Sequence, residues 1–312
     1  FNKKCGVGHK IFTPENARKY VEILGKRYKD YPNIVWILGR DRIPENDQHY
    51  EIIRSLAKGL QKEDKNHLIS YHPTAPNMAS NYFDESWLDI DMFQSGHSRL
   101  VKEYQYPERS LNKTFKRPVI NGESRYEDIF DRFWESEDFD RLDETDVRVS
   151  AYWSILAGAA GYTYGSNDIW QMYSEGRAPV LDARLGWKQA MDLPGAYQMQ
   201  YLKQFFESIE WQDLEPAQEI ISGENPEDSG YIVAAKAQEI AVFYSPEGRS
   251  FSADLQELQN KKLKVYWFNP RKGTYQHYEN IRNSKHAFEP PSSGKGQDWL
   301  LLVLPKSRSI NT

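Results

Sequence analysis

Apolar positions along the chain fall into two patterns that alternate. At 14–31 and again at 48–62 they recur every three to four residues, which predicts amphipathic helices. Each predicted helix leads into a short strand-like run, at 34–38 and at 67–71. The first run is apolar at every position, which is typical of a strand covered on both faces.

The same order of elements continues to about residue 209. Further strands are predicted at 90–93, 117–123 and 161–165, and further helices at 100–111, 147–160 and 185–209. Strands separated by helices at this interval form βα units, whose crossovers imply a parallel sheet. The first two-thirds of the chain is therefore predicted to be an α/β domain.

Polar side chains follow the predicted strands at their carboxyl ends. They are Asp41, His72, Gln94 with His97, Glu123 and Asn167. In a doubly wound sheet the ligand lies at one switch point, whereas in a (β/α)8 TIM-type barrel every strand end contributes. Five contributing strand ends favour the barrel.

The predicted barrel is incomplete. A (β/α)8 barrel needs eight strands and typically about 250 residues, but the βα region here has five strands and ends near residue 209. Either the fold is an unusual open sheet, or about three strands are missing and strands 4 to 8 remain. The start at Phe1 without Met favours the second interpretation. We therefore expect residues 1–209 to be the C-terminal part of a catalytic barrel.

From about Trp211 the pattern changes. Runs rich in β-forming residues at 234–244, 264–268 and 300–303 are separated by turn signals. Short strands at this spacing predict an antiparallel sandwich. We expect residues 210–312 to form a small β-sandwich accessory domain.

Composition and charge exclude several classes of function. The net charge of −5 comes from 45 acidic and 40 basic residues, spread without a basic stripe, which argues against a nucleic-acid partner. Cys5 is the only cysteine, so an intramolecular disulfide and a cysteine-rich metal site are excluded. No apolar run approaches the ~20 residues that span a bilayer. The nine Trp and 20 Tyr offer flat faces for sugar rings, although most are expected to lie in the core.

The acids that end two of the strands, Asp41 and Glu123, suit the hydrolysis of a glycosidic bond. A retaining enzyme uses one carboxylic acid to protonate the leaving oxygen and one carboxylate to attack the anomeric carbon. Because the two acids lie far apart in sequence, only the tertiary fold can bring them together. Either acid alone could instead cap a helix or pair with a neighbouring arginine such as Arg40 or Arg125.

Other polar and aromatic residues are candidates for substrate contacts. His72 and His97 could hold sugar hydroxyls or tune a carboxylate. The remaining candidates are Gln94, Tyr164, Asn167 and the stacking platform Trp170. A divalent ion held by the two histidines and the two strand-end acids is an alternative, but no tight ligand spacing supports it. No dinucleotide fingerprint is present. We predict no metal and no cofactor.

Four segments together resemble the apiosidase-like glycoside hydrolases, family 140 and its relatives. They are 31–42 (YPNIVWILGRDR), 94–97 (QSGH), 118–123 (PVINGE) and 161–165 (GYTYG). The resemblance covers nearly all of residues 1–305. It implies a clan-A-like (β/α)8 barrel followed by a small β-sandwich that is often labelled a collagen-binding domain.

The resemblance also implies roles and a substrate. In that family the Asp of strand four is the acid/base and the Glu of strand seven is the nucleophile, which correspond here to Asp41 and Glu123. Arg40 stands where the family has Gly, which implies an altered pocket and places Arg40 among the substrate-binding residues. Members of known activity release apiose from rhamnogalacturonan II side chains of pectin. An oligosaccharide or polysaccharide substrate and a bacterial, periplasmic or extracellular location are thus implied, with a signal peptide outside this sequence.

Three hypotheses follow from the sequence. The first is a retaining glycosidase in which Asp41, kept protonated near neutral pH by burial or by the charge of Glu123, acts as acid and then as base. The second is a non-catalytic carbohydrate-binding protein or an inactive barrel fragment. The third is a metal-dependent hydrolase.

Overall fold

The computed structural model describes residues 11–111, 113–136 and 138–310. The elements before residue 214 are α1 (Pro14–Tyr28), β1 (Trp36–Gly39), α2 (Asp47–Glu63), β2 (Ile69–His72), β3 (Asp91–Gln94), α3 (Tyr106–Leu111), β4 (Val119–Glu123), α4 (Glu144–Leu156), β5 (Gly161–Tyr162), α5 (Asn167–Trp170), α6 (Trp187–Ala190) and α7 (Pro194–Glu207).

The later elements are all strands apart from short 3₁₀ turns. They are β6 (Glu215–Pro216), β7 (Ile221–Ser222), β8 (Val233–Lys236), β9 (Ala241–Ser245), β10 (Phe251–Asp254), β11 (Lys262–Asn269), β12 (Thr274–Arg282), β13 (Lys285–Phe288) and β14 (Trp299–Pro305). The described residues divide into two compact units, the first within 1–95 and 109–122 and the second within 96–108 and 123–312.

The first unit is built of parallel strands with helices on one face. β1 pairs with β2 in parallel, with Gly39 opposite His72, and a parallel bridge joins Ser70 to Ile90 at the start of β3. β3 in turn neighbours β4. Since α2 separates β1 from β2 and α3 separates β3 from β4 along the chain, the predicted α/β architecture is confirmed.

Helices α1 and α2 cover β1 on one side only. Leu38 is buried in an apolar cluster with residues of both helices, such as Val21 and Ile53. Ile37, which points to the opposite face, is 48% exposed. The prediction that this strand is covered on both faces is therefore wrong for the described residues. Unbroken apolarity identified a strand here, but it did not reveal which face would be covered.

In the second unit, the helix predicted over 185–209 is two helices, α6 and α7. Leu193 is extended, with φ −61° and ψ 142°, and Pro194 begins α7. Proline disfavours the helical conformation in the residue before it and has no N–H to continue the hydrogen-bond ladder. Other elements also have different bounds from those predicted; for example, α3 begins only at Tyr106 and β5 ends at Tyr162.

The C-terminal strands form two antiparallel sheets with a shared apolar core. One sheet has six strands in the order β12-β11-β14-β9-β8-β6, and the other has three in the order β13-β10-β7. Phe243 and Trp267 of the larger sheet lie in one apolar cluster with Phe251 and Phe288 of the smaller sheet. The predicted antiparallel β structure is confirmed, and the run at 234–244 is a hairpin of β8 and β9.

Strand β14 of the larger sheet is buried on both faces. Along β14, Leu301 and Val303 lie in the core between the sheets, whereas Leu300 and Leu302 pack in a cluster with the side chains of α4 and α7. The alternation of side chains across a strand explains why this seven-residue run is apolar throughout. The C-terminal sheet is thus packed directly on the helices of its unit.

Candidate active site

The turn after β1 presents Asp41. Gly39 has φ +76°, and a Cβ at this position would lie 2.4 Å from the ring of Tyr71. Asp41 itself has φ +37°, in the left-handed region that Asp tolerates better than most residues. The Tyr71 hydroxyl donates a 2.5 Å hydrogen bond to the carbonyl of Arg42. Tyr71 therefore fixes the turn on both sides of Asp41.

The side chain of Asp41 is not buried. It is 45% exposed, and the Arg42 guanidinium lies 3.6 Å from its carboxylate. Arg40 is also exposed. The expected burial of Asp41 is therefore wrong.

His72 and Gln94 lie at the carboxyl ends of the next two strands of the first unit. His72 is the last residue of β2 and stands opposite Gly39 in the register. Gln94 is the last residue of β3 and is buried. Its Oε1 has no hydrogen-bond partner among the described residues, which leaves a buried acceptor at this strand end. Such an atom is costly unless a ligand or water satisfies it.

Glu123 ends β4 and lies beside His97 in the second unit. Its Oε1 is 3.4 Å from His97 Nε2, and the two side chains are only 15% and 10% exposed. Within the first unit, the preceding Gly122 leaves no room for a side chain, since a Cβ there would lie 1.9 Å from the Cε atom of Met92. The Gly before the acid is thus a packing requirement.

The surroundings of His97 determine which ring nitrogen carries its proton. The backbone N–H of Tyr126 lies 3.3 Å from His97 Nδ1, and the Tyr126 ring packs against the imidazole with centroids 4.4 Å apart. A backbone N–H can only donate, so Nδ1 is the acceptor and, in the neutral ring, Nε2 bears the hydrogen. His97 can therefore donate a hydrogen bond to the Glu123 carboxylate.

Tyr164 and Asn167 have protein partners around a buried acid, Glu127. The Tyr164 hydroxyl donates to Glu127 Oε2 at 2.7 Å, and the Asn167 N–H donates to the Glu127 carbonyl at 2.9 Å. The Asn167 amide donates to Leu181 and its Oδ1 accepts from the Trp170 indole. Asn167 and Tyr164 thus hold this loop together, while Trp170 remains 47% exposed.

Glu127 itself was not identified from the sequence. Burial raises its pKa, and hydrogen bonds from the Gly195 N–H and the Tyr164 hydroxyl oppose that rise. Gly195 has no space for a side chain, because a Cβ would lie 2.5 Å from Glu127 Oε2. The partners of Glu127 lie 37 and 68 residues further along the chain, so no local pattern could have revealed the cluster.

Among the described residues, no group of three or more His, Cys, Asp or Glu side chains is placed to hold a metal ion. Within the described ranges, no helix is both long and apolar enough to cross a bilayer.

Comparison with protein families identifies the relatives of this chain. The family model described as "Apiosidase-like, catalytic domain" matches residues 1–213. The chain belongs to the apiosidase-like family. A second model, described as "Putative collagen-binding domain of a collagenase", matches residues 216–304. Among curated protein sequences there is no significant match to this apiosidase-like chain.

Two solved structures resemble the apiosidase-like chain over 96% of its length, each with a TM-score of 0.91 and 30% sequence identity. One is described as a glycoside hydrolase, and the other as a glycoside hydrolase family 5 protein from Bacteroides vulgatus ATCC 8482. The chain spans 70% of the first and 68% of the second. The apiosidase-like chain is thus a glycoside hydrolase, and a carbohydrate is its class of substrate.

Proposed function

We propose that this chain hydrolyses a glycosidic bond by a retaining mechanism in which Asp41 is the acid/base and Glu123 the nucleophile. In the first step Asp41 protonates the leaving oxygen while Glu123 attacks the anomeric carbon. In the second step Asp41 takes a proton from the water that hydrolyses the glycosyl-enzyme. In this proposal β1 to β5 are strands four to eight of a (β/α)8 barrel, and the accessory domain begins near residue 210.

The contact between His97 and Glu123 is the observation that carries the proposal. An N–H directed at a carboxylate favours its charged form, and the charged form is the one that attacks. The Tyr126 N–H orients the imidazole so that Nε2 faces the acid. A neutral imidazole orients the carboxylate without neutralising it, whereas a lysine ammonium would cancel the charge of the nucleophile.

The exposure of Asp41 supports the role of acid/base. An acid/base must reach both the leaving oxygen and the incoming water, and a side chain that is 45% exposed is accessible to both. The turn that carries it is held by the Tyr71 hydroxyl, so the carboxylate can change its protonation state while its backbone stays in place.

For the substrate, we propose apiose-containing side chains of rhamnogalacturonan II in pectin, encountered in the periplasm or outside the cell. Membership of the apiosidase-like family supports this choice. Residues proposed to contact the sugar are Arg40, His72, Gln94, His97, Tyr164, Asn167 and Trp170. Of these, the buried Oε1 of Gln94 could accept a hydrogen bond from a sugar hydroxyl. The exposed ring of Trp170 could stack on the face of a sugar ring.

A non-catalytic carbohydrate-binding protein or an inactive barrel fragment is the second candidate. It is favoured by the open side of β1, where Ile37 is half-exposed and, among the described strands, β2 alone pairs with β1. Exposed strand edges are normally covered in native proteins. An incomplete barrel would retain sugar contacts but lack a complete catalytic pocket.

Chemical rescue by azide separates the two roles. For Asp41→Asn, we expect a loss of about 10²–10⁴-fold in kcat on unactivated oligosaccharides, and azide should release a glycosyl azide of retained configuration from an activated aryl glycoside. For Glu123→Ala, azide should give the inverted product, because it replaces the missing nucleophile. The matched control is Asp47→Asn, which neutralises an exposed acid in the first turn of α2.

Each outcome decides between the candidates. Wild-type turnover with both rescue patterns supports the proposed roles, and undiminished turnover in either variant contradicts them. Wild-type protein that binds pectic oligosaccharides without hydrolysing any of them would instead favour the non-catalytic candidate.

A further inference from the structure

Trp134 is the most exposed tryptophan among the described residues, at 57%. It lies in the segment between β4 and α4, which follows Glu123 directly. Indole rings are usually largely buried because of their apolar area. An indole held out to solvent in the segment that follows a proposed catalytic residue therefore needs an explanation.

The exposure of Trp134 does not come from a loosely held loop. The Arg132 N–H donates to the His97 carbonyl at 3.0 Å, and the Asp131 N–H donates to the Asp140 carbonyl, also at 3.0 Å. Asp131 also accepts from the Arg99 N–H at 3.1 Å. The backbone on one side of Trp134 is thus tied to the segment that carries His97.

Aromatic contacts connect Trp134 to the proposed nucleophile. The indole meets the Phe133 ring edge-to-face, with centroids 5.2 Å apart, and Phe133 packs 6.0 Å from the His97 imidazole. His97 Nε2 lies 3.4 Å from Glu123 Oε1. The edge-to-face contact sets the plane of the indole, and the short series of contacts places Trp134 a few side chains from Glu123.

We propose that Trp134 is a stacking platform for a pyranose ring of the substrate other than the residue whose bond is cut. The C–H groups on one face of a pyranose pack on a flat π-system, and a ring that is already oriented loses little entropy on binding. This inference rests on the proposed function, because it assigns a subsite to the same catalytic centre.

The surroundings of Trp134 favour a sugar over a protein partner. Glu135 is adjacent and its side chain is 48% exposed, and Asp138 and Asp140 are exposed nearby in sequence. A protein hot spot is normally an aromatic residue ringed by groups that exclude water. An exposed indole flanked by polar side chains instead matches a ligand with an apolar face and hydroxyl groups at its rim.

Kinetics on two substrates tests the proposal. The ratio of kcat/KM for rhamnogalacturonan II oligosaccharides to kcat/KM for an activated aryl glycoside is measured for wild type and Trp134→Ala. We expect the ratio to fall about tenfold, and Trp134→Phe to keep part of it. Tyr278→Ala is the matched control, since Tyr278 is a 38% exposed ring that also packs edge-to-face on an aromatic side chain, Trp267, in the C-terminal sheet.

A ratio unchanged by Trp134→Ala, or lowered equally by Tyr278→Ala, overturns the proposal. Affinity electrophoresis in gels containing rhamnogalacturonan-rich pectin measures binding without requiring catalysis. If the wild type hydrolyses neither substrate, the proposed function fails. Loss of gel retardation in Trp134→Ala alone would then still support the platform, whereas equal retardation of the variant, or no retardation of the wild type, would overturn it.

Discussion

His97 has two ring nitrogens with different neighbours, which allows a matched pair of variants. Asn places its amide near the position of Nδ1 and lacks a group to reach Glu123, whereas Gln extends an N–H to the position of Nε2. We expect His97→Asn to lower kcat about 10- to 100-fold, because one donor to a carboxylate is lost. His97→Gln should retain more of the activity. Steady-state kinetics on an aryl glycoside measures both.

A purely structural role for His97 predicts a different result. Both variants would then lose thermal stability and activity in parallel, since both remove the ring that packs on Tyr126. Equal kcat values in His97→Asn and the wild type would contradict the assignment of a donor to Glu123.

At the level of elements, the segment that leads into β4 is held by Asp84. Its carboxylate accepts from the Thr114 N–H at 2.7 Å and from Arg117 at 3.1 Å. Burial acts to raise the pKa of Asp84, but the hydrogen bonds from Thr114 and Arg117 outweigh it and lower the pKa to about 2. The folded state therefore favours the charged form.

This shift predicts a pH-dependent difference between the wild type and Asp84→Asn. A carboxyl whose pKa is lowered on folding stabilises the protein above its unfolded pKa of about 3.9. That contribution is lost as the pH falls towards 2. We expect Asp84→Asn to be less stable by roughly 1 kcal/mol near pH 6, after allowance for solvent screening. Thermal melts should show the gap closing between about pH 4 and pH 2, and a gap constant over that range would be inconsistent with the assigned pKa.

An element could be predicted well when its sequence signal lay within a few residues of it. Helix α1 begins where Pro14 follows the capping residue Thr13, and both signals are local. The break at Leu193 also has a local signal, Pro194. The apolar periodicity continues across it, however, and predicted one helix. The half-exposed face of β1 could not be predicted, since coverage depends on which elements pack on the strand.

At the scale of the whole chain, the C-terminal sheet completes the core of the helices in its own unit. Tyr152 and Trp153 of α4 and Phe205 of α7 pack with Leu300 and Leu302 of β14. The pairing of Arg148 of α4 with Asp298, the residue before β14, adds a buried, doubly hydrogen-bonded ion pair to this interface. Sheet and helices therefore stabilise each other.

We predict that a chain ending at Asp213 is insoluble or binds a hydrophobic dye, because each large side chain left exposed forfeits roughly 1.5–3 kcal/mol of burial. Size-exclusion chromatography and dye binding, with the 312-residue chain as reference, test this. A monodisperse truncated chain that melts at the same temperature would show that the C-terminal strands are not needed for stability.

The sequence by itself determined most of the alternation of helices and strands, the two kinds of sheet, and the positions of Asp41 and Glu123 at strand ends, because periodicity, proline and glycine act over a few residues. Only the tertiary structure decided that Nε2 of His97 lies next to the Glu123 carboxylate, while Nδ1 accepts the backbone N–H of Tyr126. It also decided that the Glu127 carboxylate accepts hydrogen bonds from Tyr164 and Gly195, and that both faces of β14 are covered. These contacts join residues distant along the chain, and chain folding rather than local conformational preference selects them.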